Sequence, residues 1–117
     1  MIPARRARKR RHLLYYLEVR DPGTQVLIGH VGDLTQDGML LLTERPLVDG
    51  AMFDVDIAMP DVPGLAGNSI IARCTVRWTG MDKNPDLHTA GCQFEPLGPV
   101  AGAELDAGIK AAVVDDT

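Results

Sequence analysis

Two stretches of this 117-residue chain hold residue types whose clustering could do chemistry. The first is basic: Arg5, Arg6, Arg8, Lys9, Arg10 and Arg11 fall within seven residues, with no acid among them. Guanidinium groups grip planar anions through paired N–H donors, so an anionic partner is the natural inference. The second is Gly32-Asp33-Leu34-Thr35-Gln36-Asp37-Gly38. Asp and Thr side chains can hold a tight turn by bonding to nearby backbone groups, and Gly38 can take φ > 0 or let a ligand approach closely. Alone, such a segment is an ordinary hairpin turn. Tyr15 and Tyr16, next to the basic run, could stack on a base or simply pack in a first strand.

Other chemistries find little support. His12, His30 and His88 are scattered, without the spacing of a metal site, so no metal is expected. Cys74 and Cys92 form no CxxC or Cys/His ligand pattern and read as core thiols. There is no GxSxG elbow, no phosphate-binding Gly-Lys loop and no legible Ser/His/Asp grouping, so neither an enzyme nor a resident cofactor is expected.

The elements that must position these residues are short. A length of 117 residues suits one domain, and 45% hydrophobic with 24% charged residues is ordinary for a soluble globule. No apolar run reaches the ~18 residues of a membrane span, and the basic start lacks the apolar core of a secretory signal, which points to the cytoplasm. The net charge of −4 hides an asymmetry. Outside residues 5–11 the chain carries 6 basic and 16 acidic residues, or −10, and so reads as an acidic body with a cationic arm. An acidic body would repel a long polyanion, which makes nucleic acid an unlikely partner.

The arm, residues 1–12, is expected to be flexible because like charges repel and apolar residues are few. Leu13 to Val19 and Val26 to Val31 flank the turn Asp21-Pro22-Gly23 and read as a first hairpin. Met39 to Leu42, Phe53 to Met59, Ile70 to Trp78 and Ala90 to Phe94 supply four more strands. Period-two alternation places Cys74, Val76 and Trp78 on one inward parity, together with Cys92 on the last strand. Six short strands separated by Pro, Gly and Asp predict an antiparallel barrel or sandwich over residues 13–97. Val100, Leu105, Ile109 and Val113 recur at helical spacing after Gly98-Pro99, predicting an amphipathic helix over residues 98–114 and a frayed end.

An arginine cluster before the first strand, D-x-T-x-x-G between the second and third, and Ala90-Gly91-Cys92-Gln93-Phe94 near the close together resemble the PilZ domain. That family's signature is RxxxR followed by [D/N]xSxxG, with a G-x-x-F element near the last strand, and the resemblance covers about residues 6–97. It implies a six-stranded antiparallel barrel with a C-terminal helix, and cyclic di-GMP as ligand. By this resemblance Arg6, Arg10 and Arg11 are the arginine contacts and Asp33 accepts from a guanine N–H. Thr35 stands in for the usual Ser, and Gly38 leaves room for the base. The arginine motif departs from the family: if Arg10-Arg11 align with its RR, the second arginine of RxxxR falls at Leu14 or Tyr15. Two functions therefore follow. One is a receptor that passes the second-messenger level to an unidentified partner protein; the other is a degenerate adaptor that binds protein without nucleotide.

Overall fold

The computed structural model describes residues 10–13 and 17–116. Its elements run β1 (Arg10–Leu13), β2 (Glu18–Arg20), β3 (Leu27–Leu34), β4 (Gly38–Thr43), β5 (Met52–Ala58), β6 (Ser69–Met81), β7 (His88–Phe94), α1 (Pro99–Ala112) and β8 (Val113–Asp116). Six strands close into an antiparallel barrel in the order β2-β3-β4-β7-β6-β5. This is the six-stranded barrel with one C-terminal helix that the resemblance implies.

Alternation explains most of the interior. Val19, Val31, Leu41, Val55, Ile57, Cys74 and Val76 all turn inward and are essentially sealed from water. Inward parity on five strands thus yields one continuous core. Cys74 and Cys92 are both buried free thiols within it. Contact with Cys92, and then burial, push the Cys74 thiol up, because a thiolate there would lie against a second sulfur in an apolar medium.

Local chemistry sets the turns. Between β2 and β3, Asp21 Oδ1 accepts from the Gly23 and Thr24 amides at 2.8 and 3.0 Å, and these backbone bonds hold its carboxyl below the usual range. Between β5 and β6, Gly64 and Gly67 take positive φ values of 87° and 82°, which residues with a Cβ adopt reluctantly.

Helix α1 caps the barrel with part of the predicted face, Leu105 and Ile109, but not with Val100 or Val113. Leu105, Gly108 and Ala112 are buried at i, i+3 and i+7, whereas Val100 is 72% exposed and Val113 begins β8. Gly108 comes so close to Met59 that a Cβ would sit 2.5 Å from its sulfur. Leu105 seals the contact and Ile109 packs beside it, while Gly108 and Ala112 let the helix come close to the barrel. The chain ends also differ from expectation. Residues 10–12 belong to β1, and 113–116 form β8, its antiparallel partner, with Arg10 opposite Asp116 and Arg11 opposite Asp115 in register. Residues 1–9 of the expected arm lie outside the described residues.

Candidate functional site

The candidate site residues are aimed by two β-bulges. In β3, Val31 pairs with Leu41 but Asp33 pairs with Leu40, so Gly32 is an extra residue. Strict alternation from Val31 would turn Asp33 into the core. The bulge instead leaves Asp33 exposed and sends Leu34 inward, where it is fully buried. In β6, Val76 pairs with Cys92 but Trp78 pairs with Gly91, so Arg77 is the extra residue. The alternation that places Trp78 inside therefore fails at that point. Trp78 lies on the outer face, 51% exposed.

These shifts create one straight row across four strands. Asp33 is opposite Leu40, Leu40 opposite Gly91, and Gly91 opposite Trp78. All four residues belong to the outer surface and line a cleft of about 370 Å³. Gly91 matters because the Trp78 indole lies across it. A Cβ there would meet indole Nε1 at 2.1 Å and Cε2 at 2.3 Å. One face of the ring thus rests on the β7 backbone, and the other remains available to a planar ligand. Arg77 borders the same cleft, where its Nε donates to Gln93 Oε1 at 2.7 Å.

The D-x-T-x-x-G turn forms the near wall. Thr35 N donates to the Gly38 carbonyl at 2.9 Å, and Thr35 Oγ1 accepts from the Asp37 and Gly38 amides at 3.2 and 3.3 Å. Its hydroxyl is therefore engaged in shaping the turn. Gly38 has an ordinary φ, and its missing Cβ has a structural reason besides the ligand room that the resemblance implies. A Cβ would sit 2.1 Å from the Cys92 carbonyl oxygen, so Gly38 lets β4 and β7 approach. Asp33 Oδ1 accepts from the Leu34 amide at 2.9 Å, and its second oxygen has no partner among the described residues. Gln36 Nε2 donates to the Gly102 carbonyl at 3.1 Å, tying the turn to α1.

The structure thus gathers Asp33, Thr35 and Gly38 at one cleft. Arg6 lies outside the described residues. For Arg10 and Arg11 the structure gives strand register, and β1 adjoins β3, the strand that carries Asp33. Sequence reasoning missed Arg77, Trp78 and Gln93 as site residues. The available signal was Arg77-Trp78 on one strand and a glycine on the strand after it, but reading it needs the bulge. Together the cleft offers an exposed aromatic face, a guanidinium and a carboxylate, the complement needed to stack and hydrogen-bond a purine.

Comparison with known proteins places this geometry. The PilZ domain matches residues 4–111. No curated protein matches. Among solved structures, the Bacillus subtilis inhibitor of motility MotI/DgrA superposes with a TM-score of 0.66 at 14% identity. That match covers 86% of this chain and 48% of the other, so this chain spans about half the length of its structural relative. At this identity the likeness establishes the fold. With a family match over nearly its whole length and the expected closed barrel, the chain is a member of the PilZ domain family.

Proposed function

We propose that this chain is a cyclic di-GMP receptor of the PilZ type, working without catalysis in the cytoplasm and passing the nucleotide signal to a partner protein. The observation that carries this reading is the row Asp33–Leu40–Gly91–Trp78, which sets a carboxylate at one end of the cleft and an indole face at the other. In this reading a guanine stacks on Trp78 and donates its N–H edge to Asp33. Arg77, with Arg6, Arg10 and Arg11 from the N-terminal basic run, meets the phosphates or the base's O6 and N7. Thr35 and Gly38 serve by keeping the turn and the β4–β7 approach in shape.

Calorimetry with cyclic di-GMP, GTP and a random oligonucleotide tests the reading. Saturable binding of cyclic di-GMP, weaker binding of GTP and negligible binding of the oligonucleotide are expected. Absence of heat with cyclic di-GMP at millimolar concentration would remove the receptor. A second reading rests on a specific feature: Leu14 and Tyr15 stand where the second arginine of RxxxR is expected. Losing one charge-assisted contact costs about 1.5–3 kcal/mol, roughly 10- to 150-fold in affinity. A chain so weakened would act as a protein adaptor without nucleotide.

A further inference from the structure

A second concavity lies on the same outer surface, next to the cleft but distinct from it. It is a groove of about 710 Å³. Ile28 and Leu42 contribute to its floor from β3 and β4, and Leu47 and Leu87 border it from the loops beyond. Among the described residues its charged lining is Glu44, Asp82 and Arg45, with the imidazole of His30 beside them. The row adjoining the cleft passes through it: His30 is opposite Leu42, and Leu42 opposite Thr89. On β4, the outward Leu40 belongs to the cleft and the next outward residue, Leu42, belongs to the groove, about 7 Å further along the strand.

Strand β4 is the unusual element. It reads Gly-Met-Leu-Leu-Leu-Thr, apolar on both faces, although the outer face of an antiparallel barrel normally alternates to polar residues. Its inward residues, Met39 and Leu41, belong to the core. The groove walls are also fixed. Asp82 N donates to the Leu87 carbonyl at 3.1 Å, and Asn84 N to Asp82 Oδ2 at 3.1 Å. On the opposite bank Thr43 Oγ1 donates to the Arg45 carbonyl at 2.6 Å. A preformed groove loses little to ordering when it is filled.

We infer that this groove is the docking site for a partner-protein segment that carries aliphatic anchors flanked by lysine or arginine. Ile28, Leu42, Leu47 and Leu87 take the anchors. Glu44 and Asp82, set in a body of charge −10 outside residues 5–11, select the basic flanks. The inference deepens the partner half of the proposed function and rests on it. A segment seated here borders the strand that also walls the nucleotide cleft, which gives the partner a direct view of cleft occupancy.

The test uses the full chain and two 18-residue amphipathic peptides with the same leucine face, one lysine-rich and one glutamate-rich, followed by methyl NMR. The lysine peptide is expected to shift the methyl signals of Ile28, Leu42 and Leu87, and Leu87→Asp to weaken it about tenfold or more. Because Leu87→Asp could disturb the loop, the paired rim variant Glu44→Lys/Asp82→Lys is the second arm and should turn the preference toward the glutamate peptide. Groove methyls unmoved by the lysine peptide, affinity unchanged in Leu87→Asp, or an unaltered preference in the rim variant would each overturn the proposal. So would concentration-dependent self-association that shifts the same methyls without peptide. Cyclic di-GMP calorimetry on the same sample keeps the outcomes apart: silence there refutes the receptor, whereas silence from the peptides refutes the groove.

Discussion

Gly91→Ala is the most informative single substitution, because the smallest possible side chain would occupy the space of the Trp78 ring. The new Cβ would lie 2.1 Å from Nε1 and 2.7 Å from Cδ1, distances that non-bonded atoms do not adopt, so the indole must leave the sheet. Trp78 is 51% exposed, and half of a tryptophan's ~250 Å² is about 120 Å². At about 25 cal/mol per Å² this gives a ceiling of about 3 kcal/mol. The ring can find another resting place on the surface, and the unfolded chain already hides part of it, which reduces the expected loss to about 1–2 kcal/mol. With an m value of about 1–2 kcal/mol/M, the urea midpoint should fall by roughly 1 M.

Trp78 is the chain's single tryptophan, so its fluorescence reports this one event without interference. Gly91→Ala should move the emission to longer wavelength and lower cyclic di-GMP affinity about tenfold or more, since base–aromatic stacking contributes about 1–3 kcal/mol. A double-mutant cycle isolates the cause. In a Trp78→Leu background the same Gly91→Ala change should cost far less, because the clashing ring is gone. Unchanged emission and midpoint in Gly91→Ala, or equal costs in the two backgrounds, would refute the packing argument. An affinity that survives ring displacement would remove Trp78 from the binding site while leaving the fold description intact.

Asp33→Ala should lower cyclic di-GMP affinity by at least about tenfold with only a small change in urea midpoint, since the side chain is exposed and its one bond is to the adjacent Leu34 amide; calorimetry on the folded variant decides. Gly38→Ala should destabilise by about 1–3 kcal/mol in urea titration, because its Cβ meets the backbone carbonyl of Cys92 rather than a movable side chain. Asp21→Ala should alter the acid limb of the stability curve. The folded carboxyl is held below its ordinary value of about 3.9 by the Thr24 and Gly23 amides, so its contribution is full above that value and disappears as pH falls through the lower folded one. Acid titrations of the two proteins that run parallel below pH about 4 would contradict this.

The barrel was legible because its core obeys period two over most of its strands. Ile70, Ala72, Cys74 and Val76 are buried at every second position, and Ala90, Cys92 and Phe94 answer them across the sheet. The site was only half legible, for the same reason. Parity counting fails wherever a strand takes in an extra residue, and both bulges that build the cleft are such places. Trp78 therefore read as core, and Gly91 read as a family mark with no visible partner. Thr35 and Gly38 were found, but their structural duties were not, because these depend on Asp37 and Cys92 backbone groups that sequence spacing does not reveal. The pairing of β1 with β8 joins four-residue segments from opposite chain ends, and neither has a local signal of its own.

The two bulges are better understood as one device than as two irregularities. A closed six-stranded barrel spends its inward residues on the core, so any site must be assembled from outward ones. Strands β3 and β6 flank the β4–β7 pair, and three interstrand spacings separate them by about 14 Å. Without the bulges, alternation would carry Asp33 and Trp78 to the inner face, burying an unpaired carboxylate at a cost of several kcal/mol. With both bulges present, each residue turns outward into the same row, and the low residues Leu40 and Gly91 lie between them. Deleting either extra residue, Gly32 or Arg77, would leave Asp33 or Trp78 one position after an inward valine and so still outward, which shows that the row depends on each strand absorbing its extra residue at that point. The row is thus set by where β3 and β6 bulge, together with the chemistry of the residues that the bulges turn outward.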